Sequence, residues 1–179
     1  DMTKRIERVA VVGAGVMGAA IAAHFANAQF SVDLLDIVPR ELTPEEKARG
    51  LTLAHPPVRN RIVARGLEAA RRNKPTAFFL PGWLNRVRQG NLEDDFARLA
   101  EADWIIEAVT ENLEIKTNLL KRIDTVRRPG TIVSTNTSGI PINTLSSGLS
   151  ADFRHHWLGT HFFNPPRYMK LLEMIPDVE

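Results

Sequence analysis

The chain has 179 residues, 44% of them apolar and 25% charged, with a net charge of +2. That suits one domain with a sizeable core and gives no electrostatic footing for nucleic acid or a membrane surface. Cysteine is absent, which excludes a disulfide framework and thiolate chemistry and suits a reducing compartment. No apolar run approaches the roughly 18 residues of a transmembrane span, and the first residues lack a signal-peptide layout, so a cytoplasmic protein is expected.

Residues 8–13 (RVAVVG) form a β-branched run ended by glycine, which predicts a buried strand. VMGAAIAAHFANAQ, from Val16, is rich in small residues and helix formers and predicts a helix. Residues 31–36 (SVDLLD) predict a second strand, completing a βαβ unit. Residues 44–90 read differently. Thr43 suits a helix cap, VRNRIVARGLEAARRNKP reads as a basic helix stopped before Pro75, and TAFFLPGW is irregular. This segment is expected to be a helical and irregular insertion that projects from the sheet.

A short helix around residues 94–100 and a strand over 101–109 come next. NLEIKTNLLKRIDTV is the clearest amphipathic helix, with Leu113, Leu119, Leu120 and Ile123 as its apolar stripe. GTIVSTNTS predicts a strand running into a polar turn, IPINTLS a short helix, and WLGTHFF another strand. Strands alternating with helices indicate an α/β, Rossmann-type doubly wound sheet, mostly parallel, with a helical insertion after its second strand.

GAGVMG places Gly13, Gly15 and Gly18 in the G-x-G-x-x-G pattern, after a predicted strand and opening a predicted helix. Gly13 permits a tight turn, Gly15 lets backbone approach a pyrophosphate, and Gly18 allows close helix packing. With Val16 and Met17 they form a candidate NAD-binding loop at a helix N-terminus. Asp36 ends the second strand, where a carboxylate accepts hydrogen bonds from a ribose and repels a 2′-phosphate. That favours NAD over NADP, with Arg40 close by.

Glu111 follows one strand and Lys116 lies one turn into the next helix. Asn136 and Ser138 follow another strand. Ligands in open α/β sheets lie at the carboxyl ends of strands, so Glu111, Lys116 and Ser138 are expected to border the glycine-loop crevice. The same residue types also suit a helix-start carboxylate, a solvated lysine and a turn hydroxyl.

GTHFFNPPRYMKLLEMIP carries one imidazole and one acid in an apolar setting. As two antiparallel strands around a loop centred near Arg167, it sets His161 opposite Glu173, a possible imidazole–carboxylate pair. Tyr168, Leu171, Leu172 and Ile175 also fit helical spacing, and local pattern leaves both open. His24, His55, His155 and His156 read as ordinary core, surface or loop residues. With no cysteine and no His-x-x-x-His pair, no metal site is expected.

Together, GAGVMGAAIA, DWIIEAVTENLEIK, STNTSGI and GTHFFNPPRYMKLLEMI resemble the NAD-binding domain of L-3-hydroxyacyl-CoA dehydrogenases, over about residues 8–176. Residues 36–83 resemble large bacterial members with a fused enoyl-CoA hydratase-like region. The resemblance implies NAD-dependent oxidation of an L-3-hydroxyacyl-CoA to the 3-ketoacyl-CoA in fatty acid β-oxidation. His161 would be the base, Glu173 would orient it, and Ser138 would bond the substrate oxygen near the nicotinamide ribose. Asp36, Glu111, Lys116 and Asn164 would contact the cofactor.

Two departures qualify that expectation. The family's helical C-terminal domain, which mediates homodimerisation and supplies a further catalytic asparagine, is missing, so residues 1–179 are expected to be a fragment that binds NAD but turns over poorly. The insertion is longer or differently built than in simpler members. There Arg59, Arg61, Arg65, Arg71, Arg72 and Lys74, against only Glu68, would suit CoA phosphates. Rival readings are a non-catalytic NAD- or CoA-binding module and another β-hydroxyacid dehydrogenase, whose lysine-centred site would leave HFFNP and Glu173 unexplained.

Overall fold

The computed structural model describes residues 5–177; the remaining terminal residues of the expected domain lie outside the described residues. Among the described residues, seven strands form one sheet in the order β3-β2-β1-β4-β5-β6-β7. They are β1 (Arg8–Val12), β2 (Ser31–Asp36), β3 (Val87–Asn91), β4 (Trp104–Glu107), β5 (Ile132–Thr135), β6 (Trp157–Phe162) and β7 (Leu172–Pro176). Every pairing is parallel except β6 with β7. The order reverses between β1 and β4, and ligand crevices open at such a switch point.

Alternation along the strands feeds two cores. Val9 and Val11 face the layer containing α1 (Val16–Asn27), while Ala10 and Val12 face the opposite layer. That opposite layer is built on α5 (Leu113–Val126), α6 (Ile142–Ser146) and α7 (Ala151–His155). The helix α7 corrects the expected loop at His155: Ser150 caps it, accepting from the Phe153 amide at 3.1 Å. No helix among the described residues is long and apolar enough to cross a membrane.

The segment after β2 packs on the core from Val58 onward and does not project there, while residues 44–57 bury no side chain. It holds α2 (Pro44–Ala48), α3 (Pro56–Arg59) and α4 (Arg61–Arg72), then runs through a 3-10 turn into β3, the edge strand the sequence reading left out. Thr43 caps α2 as expected, in a reciprocal capping box with Glu46. Val63 and Leu67 of α4 are buried in the α1-side core. Fully burying such side chains contributes about 1.5–3 kcal/mol each. Polar β3 is held to its neighbour by Arg88, which donates to both oxygens of Asp33 at 2.6 and 2.9 Å, directly across the ladder.

α4 also presses on the glycine loop. A Cβ at Gly66 would stand 2.2 Å from the Ala14 carbonyl oxygen, whereas a Cβ at Gly82 would meet nothing. Gly66→Ala must therefore part α4 from the loop. It is expected to lower stability by about 1–3 kcal/mol in urea unfolding, as overpacking does, with Gly82→Ala near neutral. Equal stabilities for the two variants would contradict this packing.

Candidate active site

The glycine loop closes around backbone. Gly13 has φ +106, and a Cβ there would lie 2.4 Å from the Ala108 carbonyl oxygen. A Cβ at Gly18 would lie 1.8 Å from the Gly13 carbonyl oxygen, so Gly18 seats α1 on the loop itself. Gly15 is different: a Cβ there meets nothing, so its backbone faces open space. Gly15 is also the N-cap of α1 and makes no side-chain cap, leaving helix-start N–H groups for an anion.

A cavity of about 770 Å³ lies over this loop. Gly13, Gly15, Val16, Met17 and Asp36 line it from one side, Ala108, Val109 and Ile115 from the other. Val16, Ile37 and Ile115 at its rim are 69%, 59% and 48% exposed. Apolar side chains left bare around a cavity fit a ligand with a flat apolar part. The Asp36 carboxylate accepts from the Ala14 and Ile37 amides, both at 2.6 Å. Each oxygen keeps another lone pair, and so can still accept from a ribose. Arg40 is exposed and does not line this cavity. The chemistry of these walls fits a dinucleotide.

Glu111 and Ser138 come from neighbouring loops that hold each other. Glu111 Oε1 accepts from the Thr137 hydroxyl and, at 3.0 Å, from the Gly139 amide. These two donors flank Ser138, which is exposed. Burial pushes the Glu111 carboxyl up, but the Thr137 hydroxyl, the Gly139 amide and Lys116 outweigh it and hold it below its ordinary value.

Lys116 is neither solvated nor lining the cavity. It is 1% exposed and donates to Glu107 Oε1 at 2.7 Å and to the Val109 carbonyl at 3.1 Å. Glu107, fully buried, escaped the sequence reading. The available signal was helical register: Lys116, Leu119, Leu120 and Ile123 are the buried face of α5, whereas Leu113, assigned to that stripe, is 47% exposed. A lysine on an apolar stripe requires a buried acid.

His161 and Glu173 are direct partners in the β6–β7 ladder, which resolves the strand-or-helix ambiguity as strand. His161 Nδ1 lies 2.9 Å from Glu173 Oε2. A carboxylate only accepts, so Nδ1 carries the hydrogen, and in the neutral ring Nε2 keeps its lone pair. The pair is not buried: the side chains are 26% and 50% exposed, and all of β7 is open. Asn136 Oδ1 accepts from the Phe162 amide at 2.9 Å, tying the His161 strand to the Ser138 loop. Asn164 lines a second cavity of about 380 Å³, which shares Gly15 and Val16 with the first.

The basic helix is less unbalanced than its own sequence suggests. Its acids come from elsewhere: Arg59 pairs with Glu93 and Asp94, and Arg61 with Glu46. Arg71 and Arg72 share Glu68. Arg65 instead lines the second cavity.

Residues 8–179 match the family model described as 3-hydroxyacyl-CoA dehydrogenase, NAD binding domain. The chain belongs to this family. The match identifies NAD as the cofactor of the domain and agrees with the cavity over the glycine loop. A probable 3-hydroxyacyl-CoA dehydrogenase of Bacillus subtilis is 50% identical over 99% of this chain and 23% of its own length. A putative fatty acid oxidation complex trifunctional enzyme of Rickettsia felis is 37% identical over 98% of this chain and 22% of its own. The crystal structure of 3-hydroxybutyryl-CoA dehydrogenase from Escherichia coli superposes with a TM-score of 0.65 at 33% identity, covering 96% of this chain and 32% of that one. The chain thus spans about a quarter to a third of these relatives.

Because the folded state lowers the Glu111 pKa, its bonds stabilise the protein above the ordinary value of 4.5, and this is lost as pH falls through the lower folded value. Wild type is expected to melt above Glu111→Gln at about pH 7, with the gap closing as pH falls below 4.5. A gap that is constant with pH in thermal melts would contradict the assignment.

Proposed function

We propose that this chain is the NAD-binding part of an enzyme that oxidises an L-3-hydroxyacyl-CoA to the 3-ketoacyl-CoA, within fatty acid β-oxidation in the cytoplasm. The observation that carries this is the His161–Glu173 pair, set across two strands at 2.9 Å beside the carboxyl ends of the parallel sheet. The relatives' names support the reaction class.

Bound NAD⁺ supplies hydride acceptance. The rest falls to this chain. His161 Nε2 accepts the proton of the substrate's 3-hydroxyl as the carbinol hydrogen leaves as hydride, and the C–O bond becomes a carbonyl. Glu173 fixes the ring's tautomer through Nδ1 and stabilises the imidazolium that forms. Ser138 donates to the substrate oxygen. Gly13, Gly15, Val16, Met17 and Gly18 form the pyrophosphate loop, and Asp36 accepts from the adenosine ribose, which sets NAD apart from NADP. Glu111 and Asn164 contact the cofactor, with Lys116 behind Glu111. Arg65, rather than the paired arginines of α4, is the side chain suited to a CoA phosphate.

Strand β7 is exposed, Leu172 and Met174 at 38% and 67% on one face and Ile175 at 42% on the other, and it is where the remaining length of a larger polypeptide packs. On this reading a helical domain completes the substrate cleft and a homodimer, and the 179 residues bind NAD⁺ but turn over weakly alone.

In the full-length protein, His161→Ala is expected to cut kcat for acetoacetyl-CoA reduction by about 10²–10⁴-fold while leaving NADH affinity near wild type. Unchanged turnover would remove His161 from the mechanism.

A further inference from the structure

The structure assigns a second role to the end of β4: we propose that buried Glu107, with Lys116, is a positioning pair that sets Glu111 and the Ser138 loop for the cofactor. It rests on the reading that Glu111 faces NAD.

Glu107 is a junction. Its Oε1 accepts from Lys116 Nζ and the Val109 amide, both at 2.7 Å. Its Oε2 accepts from the Thr135 hydroxyl of the adjacent strand at 2.5 Å. Its backbone carbonyl accepts from the Asn136 amide at 2.8 Å. One fully buried residue therefore ties together the two loops that leave β4 and β5.

Lys116 carries the link outward. Its Nζ lies 3.5 Å from Glu111 Oε2, while Glu111 Oε1 holds the donors that flank Ser138. Thr135 Oγ1 also accepts from the Thr137 amide at 3.2 Å, closing the circuit behind Ser138.

A buried ion pair is a poor source of stability, since desolvation offsets its attraction and apolar replacements are often neutral. Stability alone thus gives little reason for a lysine and a glutamate here. Position does: four bonds to Glu107 fix where two loops leave the sheet, and the lysine charge fixes the Glu111 carboxylate. A ligand seated by both loops depends on that geometry, and misplacement by about 1 Å can cost about 10²-fold.

The test compares NAD⁺ affinity with melting temperature in the full-length protein. Glu107→Gln and Lys116→Met each strand a buried charge and are expected to lower both. The double variant Glu107→Gln/Lys116→Met removes both charges. It is expected to regain most of the melting temperature but to bind NAD⁺ about 10–100-fold more weakly. Recovery of wild-type affinity along with stability would overturn the proposal and leave the pair a structural one. Glu111→Gln separates the two readings. If it weakens NAD⁺ binding and the double variant does not, the positioning role fails alone; if it leaves affinity unchanged, the cofactor reading of Glu111 fails and the positioning role with it. Should the double variant not fold, Thr135→Val decides. It removes the hydroxyl that bonds Glu107 Oε2 and is expected to lower the melting temperature and, measured well below that temperature, to weaken NAD⁺ binding about 3–10-fold; unchanged affinity would overturn the proposal.

Discussion

Everything at this site depends on a place where no side chain fits. Between the end of β1 and the end of β4, Gly13 sits against the Ala108 carbonyl and Gly18 against Gly13. The Gly13 amide donates to Leu35 and the Ala108 amide to Val12, both at 2.8 Å, so three strand ends are locked by backbone alone. This contact brings the start of α1 to the switch point of the sheet. It leaves Gly15 facing the cavity and lets Asp36 fold over the loop through the Ala14 amide. From the other side α4 buttresses the same loop, with Gly66 against the Ala14 carbonyl.

Two further layers of polar contact extend from that closure. Glu107 governs the loops after β4 and β5, and Asn136 passes their position to β6 through the Phe162 amide. The β6–β7 ladder then places Glu173 opposite His161. Backbone closure, a buried ion pair and a strand register are thus arranged in series from the glycine loop to the imidazole. Each holds its neighbour through groups that are already hydrogen-bonded.

The parts of this arrangement that repeat a local pattern were legible in the sequence. β1, α1 and β2 begin where the apolar runs and the glycine pattern put them. Antiparallel pairing about a loop near Arg167, one of the two readings the local pattern left open, is the observed His161–Glu173 register. The illegible parts depend on residues far apart in the chain. β3 is a polar strand, VRQGN, held by a salt bridge to Asp33 that no local window contains. The α4 segment looked like a projecting basic helix because its partners Glu46, Glu93 and Asp94 lie outside it, as does the core that Val63 and Leu67 enter. Lys116 looked like a solvent-facing contact because Glu107 was read only as part of an apolar strand; the helical register pointed the other way.

The central claim is that NAD seats on the glycine loop and reaches the β4 and β5 loops together. Hydrogen–deuterium exchange of the full-length protein with and without NAD⁺ tests it most directly. The account expects added protection in peptides covering residues 13–18, 36–37, 108–111 and 136–139, with α4 unchanged along its paired arginines. Protection confined to α4, or absent from the glycine loop, would contradict it.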